Sequence, residues 1–264
     1  MGHRGAAARA PENTLAGFRR AKALGCSWVE FDVRLTGDGA LVICHDPQLD
    51  RTTDGSGLIS AQTLAQIRAC DAGRRFAPSF TGERMPTLDE ALSLTAELDL
   101  GADIEIKSDL GREYATAATV AATLERSRDH VPPLLVSSFL PAALAAMRTL
   151  APQIPRGILF RLIPRGWSGL ARRLGCVMIG ANHRRLRPRR VTQIREAGYR
   201  LGAYTVNDPA RARLLFGWGV TSVFSDVPDT LMKAGIGPGQ SYGLTRFGAA
   251  AALGPGLIRQ GAFR

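Results

Sequence analysis

Lysine is nearly missing from this 264-residue chain, which has only Lys22, Lys107 and Lys233. Arginine therefore carries most of the basic charge, and 34 Lys and Arg against 23 Asp and Glu leave a net charge of +11. Such a balance admits nucleic acid, anionic lipid or an anionic substrate. The densest basic run is Arg184-Arg185, Arg187 and Arg189-Arg190, with no interleaved aromatic residues and no nucleic-acid motif beside it. Nucleic acid is accordingly set aside. The run reads as a solvated arginine-rich surface, with peripheral membrane contact as the alternative. No stretch approaches the roughly 18 apolar residues a transmembrane segment needs. The N-terminus has no apolar run of the secretory type, so a cytoplasmic chain is expected. Cys26, Cys44, Cys70 and Cys176 show no C-x-x-C spacing and no disulfide-like pattern, so free thiols are expected and a disulfide scaffold is excluded. Nothing in the sequence specifies an oligomeric state.

What is present is concentrated in residues 28–46. Trp28 to Leu35 has the β-branched and aromatic content of a strand. With a period of two, Glu30 and Asp32 share one face while Val29, Phe31 and Val33 share the other. Adjacent carboxylates repel unless a cation or a shared proton lies between them. The chain then turns at Gly37-Asp38-Gly39, returns through Leu41 to Ile43 and presents His45-Asp46. An acidic pair at one strand end and a histidine at the next point to a hard divalent metal beside a general acid or base. The bland alternative is a surface strand with two solvated acids.

Along the chain, Asn13 or Thr14 caps a helix over residues 15–24. Residues 47–86, with turn chemistry at 50–57 and a short amphipathic piece at 64–67, read as an insertion packed on the main body. Regular alternation follows. Helices are predicted at 87–97, 112–126, 141–150, 166–174, 188–197, 209–216 and 228–234. Strands are predicted at 102–107, 134–139, 156–160, 177–181, 199–206 and 222–225. With 28–35 these make seven main strands, and the few residues ending at His3 would supply an eighth. This argues an α/β fold of the (β/α)8 TIM-barrel type. An open doubly wound sheet would show a Gly-rich first βα turn, and none is present. The domain expected is residues 1–234, followed by a loosely docked tail over 235–264 with one weak helix signal at 244–253.

In such a barrel, chemistry sits at the C-terminal ends of the strands. His3, Glu30, Asp32, Glu105, Lys107, Phe139, Asn207 and Asp226 fall at or near predicted strand ends. Glu105 and Lys107 are two apart and both point inward, where unpaired charges cost several kcal/mol. An internal salt bridge is the plain reading of that pair, but it leaves Glu30 and Asp32 without a counter-charge. Glu30, Asp32 and Glu105 suit Mg²⁺ or Ca²⁺, and there is no His/Cys set of the kind zinc prefers. Arg4 and Lys107 are cations for an anionic oxygen, and His3 and His45 are candidate acid and base. The inventory fits cleavage of a phosphate ester. His130 and His183 read as structural.

His3-Arg4-Gly5, Ala10-Pro11-Glu12-Asn13-Thr14, Glu30-Phe31-Asp32-Val33 and His45-Asp46-Pro47 resemble the opening motifs of the glycerophosphodiester phosphodiesterase family. Residues 51–57, Pro86-Thr87-Leu88, Ile104-Glu105-Ile106-Lys107, Ser138-Phe139, Thr205-Val206-Asn207 and Ser225-Asp226-Val227-Pro228 continue the match in order. The resemblance spans about residues 3–231. It implies a (β/α)8 barrel with a small insertion after the second strand and a divalent metal, Mg²⁺ or Ca²⁺, on Glu30, Asp32 and Glu105. It also implies phosphate contacts from Arg4 and Lys107, and a small-molecule glycerophosphodiester substrate. Analogy with phosphatidylinositol-specific phospholipases C makes His3 the base and His45 the acid. Phe139 and Tyr204 would line the substrate, Tyr204 standing where the family often has tryptophan. Only Met1 and Gly2 precede His3, so the first strand is cut short: either the start lies upstream or the barrel is incompletely closed. Lysophospholipase D activity on the same site and non-catalytic binding of anionic headgroups are the alternative functions.

Overall fold

Alternating strand and helix segments bury their apolar faces by forming a parallel sheet with helices packed against it. The computed structural model, which describes residues 1–128 and 132–236, has this arrangement. The chain begins β1 (Gly2–His3), α1 (Leu15–Ala23), β2 (Trp28–Leu35), β3 (Leu41–Ile43), α2 (Leu64–Ala69), α3 (Leu88–Glu97) and β4 (Gly101–Ile106). It continues α4 (Glu113–Arg126), β5 (Leu134–Ser138), α5 (Pro141–Leu150), β6 (Arg156–Phe160), α6 (Trp167–Arg173) and β7 (Cys176–Asn182). The last described elements are α7 (Pro188–Glu196), β8 (Arg200–Tyr204), α8 (Pro209–Trp218), β9 (Ser222–Val223) and α9 (Pro228–Lys233). The expectations for His130 and for residues 237–264 lie outside the described residues.

The strands are ordered β1-β2-β4-β5-β6-β7-β8-β9, all parallel, with β3 antiparallel on β2. The row closes. The His3 N–H donates to the Ser225 carbonyl at 2.9 Å, and the Ser225 N–H donates to the Met1 carbonyl at 3.1 Å. The expectation of an incompletely closed barrel is thereby corrected: the two residues of β1 pair with β2 on one side and reach Ser225 on the other.

Local chemistry sets the element ends. The Thr14 side chain accepts from the Gly17 N–H, Thr87 and Glu90 form a capping box at α3, and proline opens α5, α7, α8 and α9. Within residues 47–86, Leu49, Ile59, Ile67 and Met85 pack with Val42 and Cys44 in a small core of their own.

Strand alternation then sorts the side chains. Val29, Phe31 and Val33 are fully buried towards the helices, with the Phe31 ring 5.1 Å from Phe18 of α1. The opposite face of β2 looks into the barrel. Register places Glu30 beside Asp103, which is beside Leu135, and Asp32 beside Glu105, which is beside Ser137. Beneath them the Trp28 ring fills the space over Gly101, where a Cβ would fall 2.2 Å from the ring. Leu135, Leu159, Met178 and Phe224 fill the other side. The interior is therefore apolar towards β5–β9 and acidic towards β2 and β4.

Asp103 is the member of this layer that the sequence reading passed over. It is fully buried, and neither carboxylate oxygen has a hydrogen-bond partner. A neighbouring Ser137 hydroxyl, which would favour ionisation, is not aligned to donate. Burial, then the charges of Glu30, Glu105 and Asp32, push its carboxyl well above the usual range, which favours its protonated form. The native chain then holds this proton above the pH at which the unfolded chain loses it. Stability attributable to Asp103 falls as pH rises past the unfolded value near 4, by up to about 1.4 kcal/mol per pH unit. Asp103→Asn removes that slope. In metal-free protein, urea unfolding should show the Asp103→Asn variant gaining on the parent between pH 4 and pH 7. A difference that stays flat with pH would show that Asp103 ionises in the native barrel.

Candidate active site

The turn after β1 aims the first group of side chains. Arg4 and Gly5 both adopt positive φ, 50° and 89°, and a Cβ on Gly5 would lie 2.7 Å from the Gly17 backbone. Glycine is required there, and the turn delivers Arg4 into the acidic side of the barrel. The Arg4 N–H donates to Glu30 Oε2 at 3.0 Å, its Nη1 to Glu12 Oε1 at 2.9 Å, and its Nε lies 3.3 Å from Asp32 Oδ2.

Glu30, Asp32 and Glu105 converge, each offering a carboxylate oxygen within 4.8 Å of the others. Lys107 pairs with Glu105 and lies 3.3 Å from Asp32 Oδ1, so the internal salt bridge read from sequence exists alongside the acidic cluster. The three acids do not behave alike. Burial works against the charge of Asp32, but Lys107 and then Arg4 outweigh it and hold the carboxyl below its ordinary value. Burial and then Asp32 raise Glu30 and Glu105, the latter to about 8. Glu30 Oε1 and Asp32 Oδ1 are buried without a hydrogen-bond partner. Clustered oxygen donors with unsatisfied lone pairs fit a hard cation such as Mg²⁺ or Ca²⁺.

Both candidate histidines flank this cluster, and each is held through Nδ1 by its own carboxylate. His3 Nδ1 is 2.6 Å from Asp226 Oδ1, and Asn207 donates to the second Asp226 oxygen at 2.8 Å. These bonds outweigh burial and keep Asp226 ionised, so Nδ1 carries the proton and Nε2 faces Glu30 at 3.9 Å. Burial works against the charged form of His3, but Glu30 and the Asp226 bond raise its pKa overall. His45 Nδ1 is 2.6 Å from Asp46 Oδ1, and Asp46 also accepts from Arg51 at 2.5 Å, which holds its carboxyl at about 2. Burial lowers the His45 pKa, partly offset by Asp32. Arg34 fixes the same residue from behind, donating twice to the His45 carbonyl at 2.9 and 2.8 Å.

Phe139 stands beyond Lys107, whose Nζ is 5.3 Å from the ring centroid. Tyr204 meets Phe139 edge-on at 5.7 Å and donates its hydroxyl to the Phe160 carbonyl at 2.6 Å. Thus His3, Arg4, Glu30, Asp32, His45, Glu105, Lys107, Phe139 and Tyr204 occupy one end of the barrel. His183 instead is tied to Arg211, which bonds its ring and its carbonyl. Three residues at the cluster received no part in the site from sequence. Asn13, read as a candidate cap, donates to Asp32 Oδ2 at 2.9 Å and accepts from the Asp32 N–H at 3.2 Å. Thr14 does the capping. Glu12 joins Arg4 to Arg51, and Asp226 holds His3. The order Glu12-Asn13-Thr14 within a shared motif was the available signal.

The model of the glycerophosphoryl diester phosphodiesterase family matches residues 3–230. A glycerophosphodiester phosphodiesterase of Caldanaerobacter subterraneus subsp. tengcongensis is 33% identical over 238 residues, covering 88% of this chain and 96% of that protein. Among solved structures, an Oleispira antarctica phosphodiesterase in complex with the product sn-glycerol-3-phosphate superposes with a TM-score of 0.85. It is 38% identical, with 88% of this chain and 94% of that one covered. A putative glycerophosphoryl diester phosphodiesterase from Silicibacter pomeroyi superposes at 0.80 with 28% identity, covering 89% and 93% of the two chains. The chain belongs to the glycerophosphoryl diester phosphodiesterase family, whose members are phosphoric diester hydrolases.

Proposed function

We propose that the barrel, residues 1–234 with 47–86 as its insertion, hydrolyses glycerophosphodiesters to sn-glycerol 3-phosphate and a free alcohol by proton transfer through His3 and His45. The observation that carries this reading is the pair of histidines, each fixed by a carboxylate at Nδ1, on either side of three carboxylates and two cations. The product named for the Oleispira relative supports the substrate class.

Arg4 and Lys107 orient the phosphate through charge-assisted hydrogen bonds. Phe139 and Tyr204 exclude water from the side of the departing alcohol. A divalent ion on Glu30, Asp32 and Glu105 would supply positive charge to the phosphoryl oxygens. His3 takes a proton from the nucleophile at Nε2. With its Nδ1–H held by Asp226, the ring leaves Nε2 to accept that proton. His45 delivers a proton to the leaving oxygen, with Asp46 sharing the positive charge it gains. The P–O bond to the alcohol breaks as the bond to water, or first to the neighbouring glycerol hydroxyl, forms.

The reading is tested by sn-glycerol 3-phosphate release from glycerophosphocholine with Mg²⁺, Ca²⁺ or chelator, beside choline release from a long-chain lysophosphatidylcholine. Product from the first with added ion is expected; choline from the lysolipid alone would make the chain a lysophospholipase D. His3→Ala and His45→Ala should each lower kcat by about 10²-fold or more, the usual scale for acid-base loss. Near-normal turnover of either variant would remove that residue from the mechanism. The raised Glu105 sets a pH dependence for the ion. Below about 8 its carboxyl keeps a proton that the ion must displace, so affinity should rise from pH 6 to pH 8. Calorimetry at pH 7 in buffers of differing ionisation enthalpy should show on the order of one proton released per ion. Buffer-independent heats and a flat affinity would place the ion elsewhere.

A further inference from the structure

The arginine run that read as a solvated surface lies at the barrel mouth. A cleft of about 610 Å³ opens at the C-terminal ends of β6 and β7, lined by Arg161, Arg165, Arg185, Arg187, Arg189 and Arg190 and by no acidic residue. Among the described residues none of these six guanidinium groups is paired with a carboxylate, in a chain that pairs Arg4, Arg9, Arg34, Arg51 and Arg68 with acids elsewhere. Arg189 and Arg190 sit in the first turn of α7, where there is no acidic residue and no side-chain cap. The helix dipole disfavours cations at that end. Six cations gathered without counter-charge repel one another, so folding alone gives no reason to collect them around a hollow.

One wall of the cleft adjoins the Phe139 and Tyr204 side of the catalytic mouth. Arg161 lies over the Phe139 ring, its Cζ 5.8 Å from the centroid, and Lys107 is 5.3 Å from the same centroid. Tyr204 links the two regions through its bond to the carbonyl of Phe160, a residue of the cleft wall. A diester held at Lys107 and extended past Phe139 would meet Arg161 and the cleft. Guanidinium forks match phosphate oxygens, and the lining holds no carboxylate to pair with a quaternary ammonium.

We propose that this cleft is a subsite for a second anionic group, a phosphate carried by the alcohol half of the diester, so that the enzyme prefers glycerophosphodiesters with a phosphorylated alcohol over zwitterionic ones. The proposal rests on the hydrolase reading above and names its substrate class. Hydrolysis then consumes one water and yields sn-glycerol 3-phosphate and an alcohol that keeps its own phosphate.

The test compares glycerophosphoinositol with glycerophosphoinositol 4-phosphate, which differ by one phosphate group, and uses glycerophosphocholine as a control. The full chain and Arg185→Gln/Arg189→Gln are assayed with divalent ion. In the parent, kcat/KM for the phosphorylated diester should exceed that for its partner by about tenfold or more at low salt, through KM. The double variant should lose most of that ratio while glycerophosphocholine turnover holds within about twofold. Equal kcat/KM for the matched pair in the parent, or a ratio unchanged in the variant, overturns the subsite and leaves the hydrolase reading intact. If no diester is cleaved, the hydrolase reading fails by itself. Calorimetric binding of the matched pair to parent and variant then decides the subsite on the same ratio. Vesicles of phosphatidylglycerol distinguish the other source of phosphate. Vesicle binding that needs Arg185 and Arg189, with no effect on the matched pair, assigns the arginines to a lipid surface and overturns the proposal.

Discussion

Asp32 is the charge on which the rest of this barrel end depends. It is 1% exposed, yet Lys107 on one side and Arg4 on the other hold it ionised. Asn13 fixes both its carboxylate and its backbone N–H. An isolated carboxylate at this depth would neutralise itself by taking a proton. The two cations prevent that, and the consequences spread outward. Lys107, drawn to Asp32 and Glu105, is placed over Phe139. Arg4 is drawn inward by the positive-φ turn that also sets His3 at the edge of Glu30. Burial, reinforced by the charge that Asp32 keeps, pushes Glu30 and Glu105 towards protonation. Three acids with two cations thus stand poised between sharing protons and accepting a metal ion.

Such an arrangement is expensive for a barrel interior, which ordinarily packs branched apolar side chains in layers. The chain confines the expense. Towards β5–β9 the interior is filled by Leu135, Leu159, Met178 and Phe224, and the Trp28 ring closes the floor over Gly101. Outside the sheet, Val29, Phe31 and Val33 from β2 anchor the same strand that carries Glu30 and Asp32. Alternation makes this possible: each apolar residue that locks β2 to the helices alternates with an inward carboxylate. Asp103 stands beside Glu30 and is pushed towards its neutral form, which adds volume without a fourth negative charge.

Most of this was legible in the sequence because it follows from short periods. The two-residue period gave Glu30 with Asp32 and Glu105 with Lys107, and strand-helix alternation gave the barrel. Strand ends shifted by one or two residues where pairing rather than composition decides; the strand expected at 222–225 ends at Val223, although Phe224 still bonds Ala203. What escaped were contacts made across long separations. Asn13 has the composition of a cap, but its partner lies 19 residues away. Asp103 stands in the same alternation as Glu105, but no cation accompanies it to draw notice. The arginines at 184–190 read as surface because a linear run does not reveal which loop it belongs to. Arg161 and Arg165, from the preceding βα loop, complete the cleft.

The two charged regions at the mouth stay distinct because Phe139 stands between them. Arg161 lies over the same ring as Lys107, with Tyr204 packed edge-on against it. Without that ring, an arginine beside a cluster of carboxylates would swing in to pair with them, since opposite charges in a poorly solvated pocket attract strongly. The cluster would then lose its affinity for a metal ion, and the cleft would lose its uncompensated charge. The ring also offers its π system to the Arg161 guanidinium, which is held there without a carboxylate partner among the described residues. Keeping balanced charge inside and unbalanced charge outside leaves a positive field over the mouth, in a protein whose net charge is already +11. Such a field draws anionic ligands towards the barrel end before any specific contact forms.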